Sequence, residues 1–96
     1  MARVVLINPF EVPEGSDDEF LMAWEATKNF MERQKGYVST KLHRSVDPKA
    51  RFRYVNVAEW ESPQDFLAAL RHPDFVDLRD SIRFPHYPSL YEVMGR

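Results

Sequence analysis

Residues 52–62, FRYVNVAEWES, alternate in the manner of a strand and carry the aromatic and β-branched residues that strands favour. Successive strand side chains point to opposite faces, so Phe52, Tyr54, Asn56, Ala58 and Trp60 share one side. The other side carries Val55 and Val57. Residues 2–12 read as another strand, with Val4, Leu6, Asn8 and Phe10 on one parity and Val5 and Ile7 on the other. VPEG is a turn signal, and Ser16-Asp17-Asp18-Glu19 has the form of a capping box. The helix that follows should run to about Gln34. Its apolar stripe is Phe20, Trp24, Thr27, Phe30 and Met31, and Gly36 sits in the left-handed C-terminal position.

Residues 37–46 alternate again, and Asp47-Pro48-Lys49-Ala50 has turn chemistry, which predicts a hairpin with the strand over 52–62. Ser62-Pro63 opens a short helix, Pro73 breaks it, and 74–82 make another. Tyr87, Tyr91 and Val93 occupy alternate positions of a last strand over 84–95. The order strand, helix, strand, strand, helix, strand is the ferredoxin-like split βαβ arrangement. It predicts an α+β fold: one domain over residues 1–96, with helices on one face of an antiparallel four-stranded sheet. Val5, Ile7, Val55 and Val57 then form an apolar helix-free face. Burial of such surface is worth roughly 25 cal/mol per Å², and a second copy of the sheet would supply it in a two-fold homodimer.

Composition narrows the functions. With net charge −2 and no basic block, the chain offers nothing to neutralise phosphates, so nucleic acid is not an expected partner. The absence of cysteine excludes disulfides, zinc–thiolate sites and cysteine nucleophiles. Three glycines cannot supply a phosphate loop, and none of the three histidines has a second His or a carboxylate at metal-ligand spacing, so a metal site is not expected. No apolar run reaches the ~20 residues that span a bilayer, and the N-terminus has no signal-peptide pattern, so a cytoplasmic location without membrane association is expected.

Candidate chemistry lies on the helix-facing parity of the strands. An unsatisfied buried amide costs about 1–3 kcal/mol, so Asn56 either bonds neighbouring backbone or faces a cavity. Asn8 obeys the same parity, and Trp60 adds a flat wall and one N–H donor. Tyr54 shares that face, and Arg79, late in the third helix, can supply a cation. The three histidines carry weaker signals: His72 precedes Pro73 at a helix junction, His43 has the parity opposite to Leu42, and His86 lies in an irregular FPHYP segment.

The segments VVLINPFEVPEG, QKGYVSTKLHRS and VNVAEWESPQDFLAAL resemble the antibiotic biosynthesis monooxygenase family over almost the whole chain. The resemblance implies a ferredoxin-like dimer whose sheets meet in an α+β barrel. The family includes cofactor-free oxygenases of polyketide anthrones and haem-degrading oxygenases. In the first branch an Asn and a Trp of the third strand touch the substrate, and Asn56 and Trp60 stand there; a helix Arg corresponds to Arg79. Two pocket tyrosines of that branch fall at Leu42 and Phe66. In the haem branch Asn8 matches a required Asn, but the axial His falls near Leu78 and a porphyrin-packing Trp at Ala69. What the resemblance implies is a monooxygenase without metal or flavin, acting with O₂ on a small aromatic or polyketide-like substrate. Asn56 and Trp60 would carry the chemistry, and Asn8, Arg79, Leu42, Phe66 and Tyr54 would line the binding site. The other readings are a haem protein of the same fold and a non-catalytic dimer that binds a small molecule.

Overall fold

The computed structural model describes residues 3–95. Its elements are β1 (Val4–Phe10), α1 (Asp17–Met31), β2 (Tyr37–Arg44), β3 (Tyr54–Trp60), α2 (Pro63–Leu70), α3 (Pro73–Arg79) and β4 (Ser89–Tyr91). The strands form one sheet in the order β2-β3-β1-β4, antiparallel at every step. This is the ferredoxin-like α+β fold expected from the element order. The predicted start of β1 at Ala2 lies outside the described residues.

The central pair sets the core. β1 and β3 pair in register Val4↔Trp60, Leu6↔Ala58, Asn8↔Asn56 and Phe10↔Tyr54. All eight residues lie on one side of the sheet, beneath the helices. Val4, Leu6, Ala58 and Trp60 join Phe66 and Ala69 of α2 in one buried cluster. Phe10 and Tyr54 join Val12, which follows β1, and Phe20 of α1 in another. The Phe20 ring stacks on Tyr54 with centroids 4.6 Å apart and meets Phe10 edge-on at 4.9 Å. The two asparagines form the rung between the clusters.

Local chemistry explains where elements begin and end. The Ser62 hydroxyl accepts from Asp65 N at 3.1 Å, and Pro63 follows at the first helical position, so α2 starts where its sequence directs. His72 caps α3 by accepting from Asp74 N at 3.1 Å. The capping box at Ser16 does not form: Ser16 has φ −105° and ψ 14°, and its hydroxyl accepts no capping bond. Its N–H bonds Pro13 O instead, at 3.1 Å, in a turn that takes Ser16 out of the extended conformation a capping residue needs. The start of α1 still carries Asp17, Asp18 and Glu19, which suit the positive end of the helix dipole. α1 ends at Met31, and the chain reaches Gln34 through turns rather than helix. Gly36 is therefore not the helix cap. It is left-handed at φ +88°, and a Cβ there would overlap the Asp65 side chain of α2.

The last strand is shorter than predicted and has the opposite parity. Prolines 85 and 88 lack the N–H that regular pairing needs, so the segment joins β1 irregularly, through Glu11 N to Pro85 O (2.9 Å), Tyr87 N to Pro9 O (3.1 Å) and a bridge between Phe10 and His86. Tyr87, Tyr91 and Val93 are exposed, whereas Phe84 and Leu90 pack on the two core clusters. Phe52 lies before β3 and meets Tyr87 edge-on at 5.8 Å. β2 carries a bulge between Tyr37 and Ser39, which sets the register that brings Leu42 opposite Asn56.

One polar tie anchors α1 to the sheet. Asp17 accepts from Arg53 Nε at 2.7 Å, from Arg53 Nη2 at 3.1 Å and from the Tyr54 hydroxyl at 2.7 Å. The Arg53 hydrogen bond first, then that of Tyr54, holds the Asp17 carboxyl below the usual carboxylate range. A lowered folded-state pKa contributes stability that is complete above the unfolded value, about 4, and is lost as pH falls through the folded one. Asp17→Asn should therefore lower the Tm by several degrees at neutral pH and flatten the loss of Tm on acidification. Melts from neutral to strongly acidic pH check this, and a variant as acid-sensitive as wild type would refute it.

Candidate functional site

Between the sheet and the helices lies a cavity of about 450 Å³. Its floor is Leu6, Asn8, Asn56, Ala58 and Trp60; its roof includes Trp24, Thr27, Lys28 and Met31 of α1, Phe66 and Leu70 of α2, and Phe75 and Arg79 of α3. Thr40 of β2 and His86, Pro88 and Leu90 of the C-terminal segment close the sides. The stripe of α1 is thus shared: Phe20 and Phe30 go to the core, while Trp24, Thr27 and Met31 face the cavity. The size suits a small polycyclic molecule.

The asparagine rung explains why the cavity sits here. Cross-strand partners hold their Cβ atoms about 5 Å apart, so the two amides stand side by side in the floor. Asn56 is buried, and the Oδ1 atoms of both asparagines are buried with no hydrogen-bond partner. Each orphaned carbonyl costs about 1–3 kcal/mol. An amide can turn either its oxygen or its NH₂ group toward a neighbour, so the pair offers both donors and acceptors to a ligand.

The walls are otherwise apolar, hydroxyl-bearing or basic. Lys28, Arg79 and His86 line the cavity, and none of its lining residues is Asp or Glu. Arg79 makes no ion pair among the described residues, whereas Lys28 pairs with Glu32 at 3.8 Å. A basic rim over a floor of amides, with no carboxylate in the lining, favours an anionic ligand.

The sequence candidates divide accordingly. Asn8, Asn56, Trp60, Phe66 and Arg79 are brought together around the cavity. Trp60 is also core: 1% exposed, it meets Tyr37 and Phe66 edge-on at 5.8 and 5.5 Å. Tyr54 and Leu42 stand outside the lining. The Tyr54 hydroxyl is engaged by Asp17, and Leu42 packs against the Phe10–Phe20 cluster, although it sits beside Asn56 in the register. Ala69 is buried under Trp60, and Leu78 is not part of the lining. Among the described residues no group of three or more His, Asp or Glu is placed to hold a metal ion, and no helix is long and apolar enough to cross a membrane.

His86 is the lining residue that the strand pattern hid. The Pro-bounded run invited the parity of Tyr87 and Tyr91, but Phe84, His86, Pro88 and Leu90 form the other alternate set: Phe84 and Leu90 pack on the core clusters, and His86 and Pro88 line the cavity at its exposed margin. The bridge to Phe10, itself a core residue by pattern, fixes this.

The antibiotic biosynthesis monooxygenase model matches residues 3–81. The chain belongs to this family. It is 33% identical over 81 residues to deoxynogalonate monooxygenase of Streptomyces nogalater, covering 84% of this chain and 66% of that protein's length, a little under two thirds. The structure of SnoaB, a cofactor-independent oxygenase from Streptomyces nogalater, superposes with TM-score 0.88 at 28% identity, over 100% of this chain and 97% of that one. A candidate monooxygenase from Shewanella loihica PV-4 superposes with TM-score 0.84 at 38% identity, over 99% and 97% of the two chains. These family relatives carry the same sheet and helices that enclose the cavity here.

If the asparagine rung serves a ligand and not the fold, removing its unpaired carbonyl should not weaken the protein. Asn56→Leu, close to isosteric, should leave the Tm unchanged or raise it, because an orphaned polar group is replaced by an apolar one. Thermal melting checks this, and a fall of several degrees would show that the amide holds a buried partner.

Proposed function

We propose that the protein is a cofactor-independent monooxygenase of a small aromatic or polyketide-like substrate of the anthrone or quinol type. The observation that carries the reading is the pair of asparagines with unpartnered carbonyls in the floor of a cavity with basic residues in its lining. It is supported by the family membership and by the likeness to a cofactor-independent oxygenase.

The chemistry follows from what an anthrone can do. Loss of a methylene proton leaves an enolate whose charge spreads over the ring and its oxygen. This electron-rich anion passes one electron to O₂, and the two radicals recombine at the former methylene carbon. Loss of water from the resulting hydroperoxide gives the quinone. The methylene supplies four electrons; one oxygen atom enters the product and the other leaves as water, so no external reductant is required. The protein's part is to bind the ring, stabilise the anion and exclude water. Asn56 and Asn8 turn N–H groups to the enolate oxygen, Arg79 and Lys28 supply positive charge, and Trp60, Trp24 and Phe66 provide flat apolar walls. Donors fixed in advance at the site of developing charge commonly contribute about 3–4 kcal/mol each.

Oxygen uptake with 1,8-dihydroxyanthrone tests this. Wild type should accelerate uptake above the spontaneous rate with one O₂ consumed per anthrone. Asn56→Ala should lower the turnover about 100-fold, in line with removal of one oxyanion donor, while remaining folded. Trp60→Phe should lose both activity and stability, because Trp60 serves core and cavity together. Wild type that leaves the spontaneous rate unchanged would overturn the enzymatic reading.

The same reading includes a homodimer. On the face opposite the helices Ile7 of β1 pairs with Val57 of β3, Val5 lies opposite Glu59 and Val55 opposite Pro9, and the four aliphatic side chains are only part-buried in the single chain. A second sheet laid on this face would remove that surface from water. Sedimentation at micromolar concentration should give twice the 11.3 kDa chain mass, and Val57→Lys should shift it to the monomer. A folded wild-type monomer at that concentration would contradict the arrangement.

A further inference from the structure

Forming the enolate requires a group that accepts the substrate's proton, and the cavity's composition restricts the choice. Its lining contains no Asp, Glu or Tyr. Its amides and hydroxyls are poor proton acceptors, and the ammonium and guanidinium of Lys28 and Arg79 hold protons already. His86 is the lining residue with a lone pair to offer.

The geometry around His86 fixes which nitrogen that is. His86 Nδ1 lies 2.8 Å from the Phe84 carbonyl oxygen. A carbonyl only accepts, so Nδ1 must carry the hydrogen and donate it. In the neutral ring Nε2 is then the unprotonated nitrogen, and it has no hydrogen-bond partner among the described residues. The segment that carries the ring is clamped on both sides. Glu11 N bonds Pro85 O and Tyr87 N bonds Pro9 O. The Tyr87 hydroxyl donates to Glu11 Oε2 at 2.7 Å, and Arg51 Nε donates to Glu11 Oε1 at 3.2 Å. The imidazole also lies against the Phe10 ring, with centroids 5.5 Å apart. The clamp has the character of a positioning device: a tautomer chosen by backbone, on a loop held by strand-like bonds.

We propose that His86 is the proton acceptor of the reaction proposed above, an inference that rests on that reading of the cavity. The substrate's methylene C–H bond breaks, the proton passes to Nε2 of His86, and the electron pair is left in the enolate facing Asn56 and Asn8. The imidazolium that forms keeps its Nδ1–H bond to Phe84, and the Glu11 carboxylate of the clamp lies in the neighbouring segment. Lys28 and Arg79 stabilise the enolate. The proton later returns to the peroxide oxygen or to water, and the neutral tautomer is restored.

Deprotonation can be observed apart from oxygenation by mixing protein and 1,8-dihydroxyanthrone under argon and following the absorbance of the anion. Wild type should form the anion rapidly. His86→Ala should slow its formation about 100-fold, the contribution typical of a positioned base, and added imidazole should restore part of the rate. His86→Gln, which fills the space without a basic nitrogen, should stay slow and not be rescued. Affinity for 1,8-dihydroxyanthraquinone, which needs no deprotonation, should fall far less than the rate of anion formation in both variants. Anion formation by His86→Ala at the wild-type rate overturns the proposal, as does equal loss of anthraquinone affinity, which would mark a structural role. Wild type that forms no anion under argon overturns it too. Wild type that forms the anion but takes up no O₂ would sustain the role of His86 and defeat the oxygenase reading instead.

Discussion

The arrangement depends on one rung of the sheet. Asn8 and Asn56 face each other at the centre of the β1–β3 pair, where every other rung on the same face is built of aliphatic and aromatic side chains. Two amides with unpaired carbonyls cannot be covered closely by apolar side chains without leaving orphaned polar atoms in contact with hydrocarbon. The core accordingly divides. One cluster forms around Trp60 and Phe66 and another around Phe20 and Tyr54, and the helices stand apart from the sheet between them. The cavity is the consequence of placing a polar rung at the middle of a small domain's core.

This division also assigns roles to the helices. α1 reaches one cluster through Phe20 and the other through Met31, Phe30 packs against His72 and Phe75, and Trp24, Thr27 and Met31 roof the space between the clusters. Asp17, bonded to Arg53 and Tyr54, ties its first turn to β3. α2 packs at one end through Phe66 and Ala69, and α3 brings Phe75 and Arg79 over the opening. The C-terminal segment, held against β1 by backbone bonds to Pro9 and Glu11, supplies the remaining wall and its histidine. Polar chemistry is concentrated on the floor and rim, and the intervening surface is aromatic and aliphatic. That distribution suits a planar molecule whose charge develops at one oxygen.

The element order and the shared parity of Asn8, Asn56 and Trp60 were legible in the sequence because turn signals bound each segment and strand parity follows from position alone. Five of the candidate residues, Asn8, Asn56, Trp60, Phe66 and Arg79, converge on one cavity. Tyr54 shares the right face but lies one rung too far, where Asp17 takes its hydroxyl. Leu42 turns to the second cluster, although the β2 bulge sets it beside Asn56. His86 could not be placed by pattern. Prolines 85 and 88 interrupt regular pairing, so parity in that segment is decided by its long-range bonds to β1 and not by its own alternation. The unformed capping box at Ser16 has a similar origin, since the preceding turn through Pro13 sets its backbone.

The central claim is that the asparagine rung faces a ligand. Nuclear magnetic resonance of the side-chain amides tests it directly, with 1,8-dihydroxyanthraquinone as a ring that O₂ does not consume. The Asn8 and Asn56 amide signals, assigned from the spectra of Asn8→Leu and Asn56→Leu, should move together along one saturable curve, while the Asn29 signal on the exposed side of α1 stays fixed. Saturable binding that leaves both rung signals unmoved would contradict the account, because the ligand would then occupy some other surface and the two amides would be part of the core.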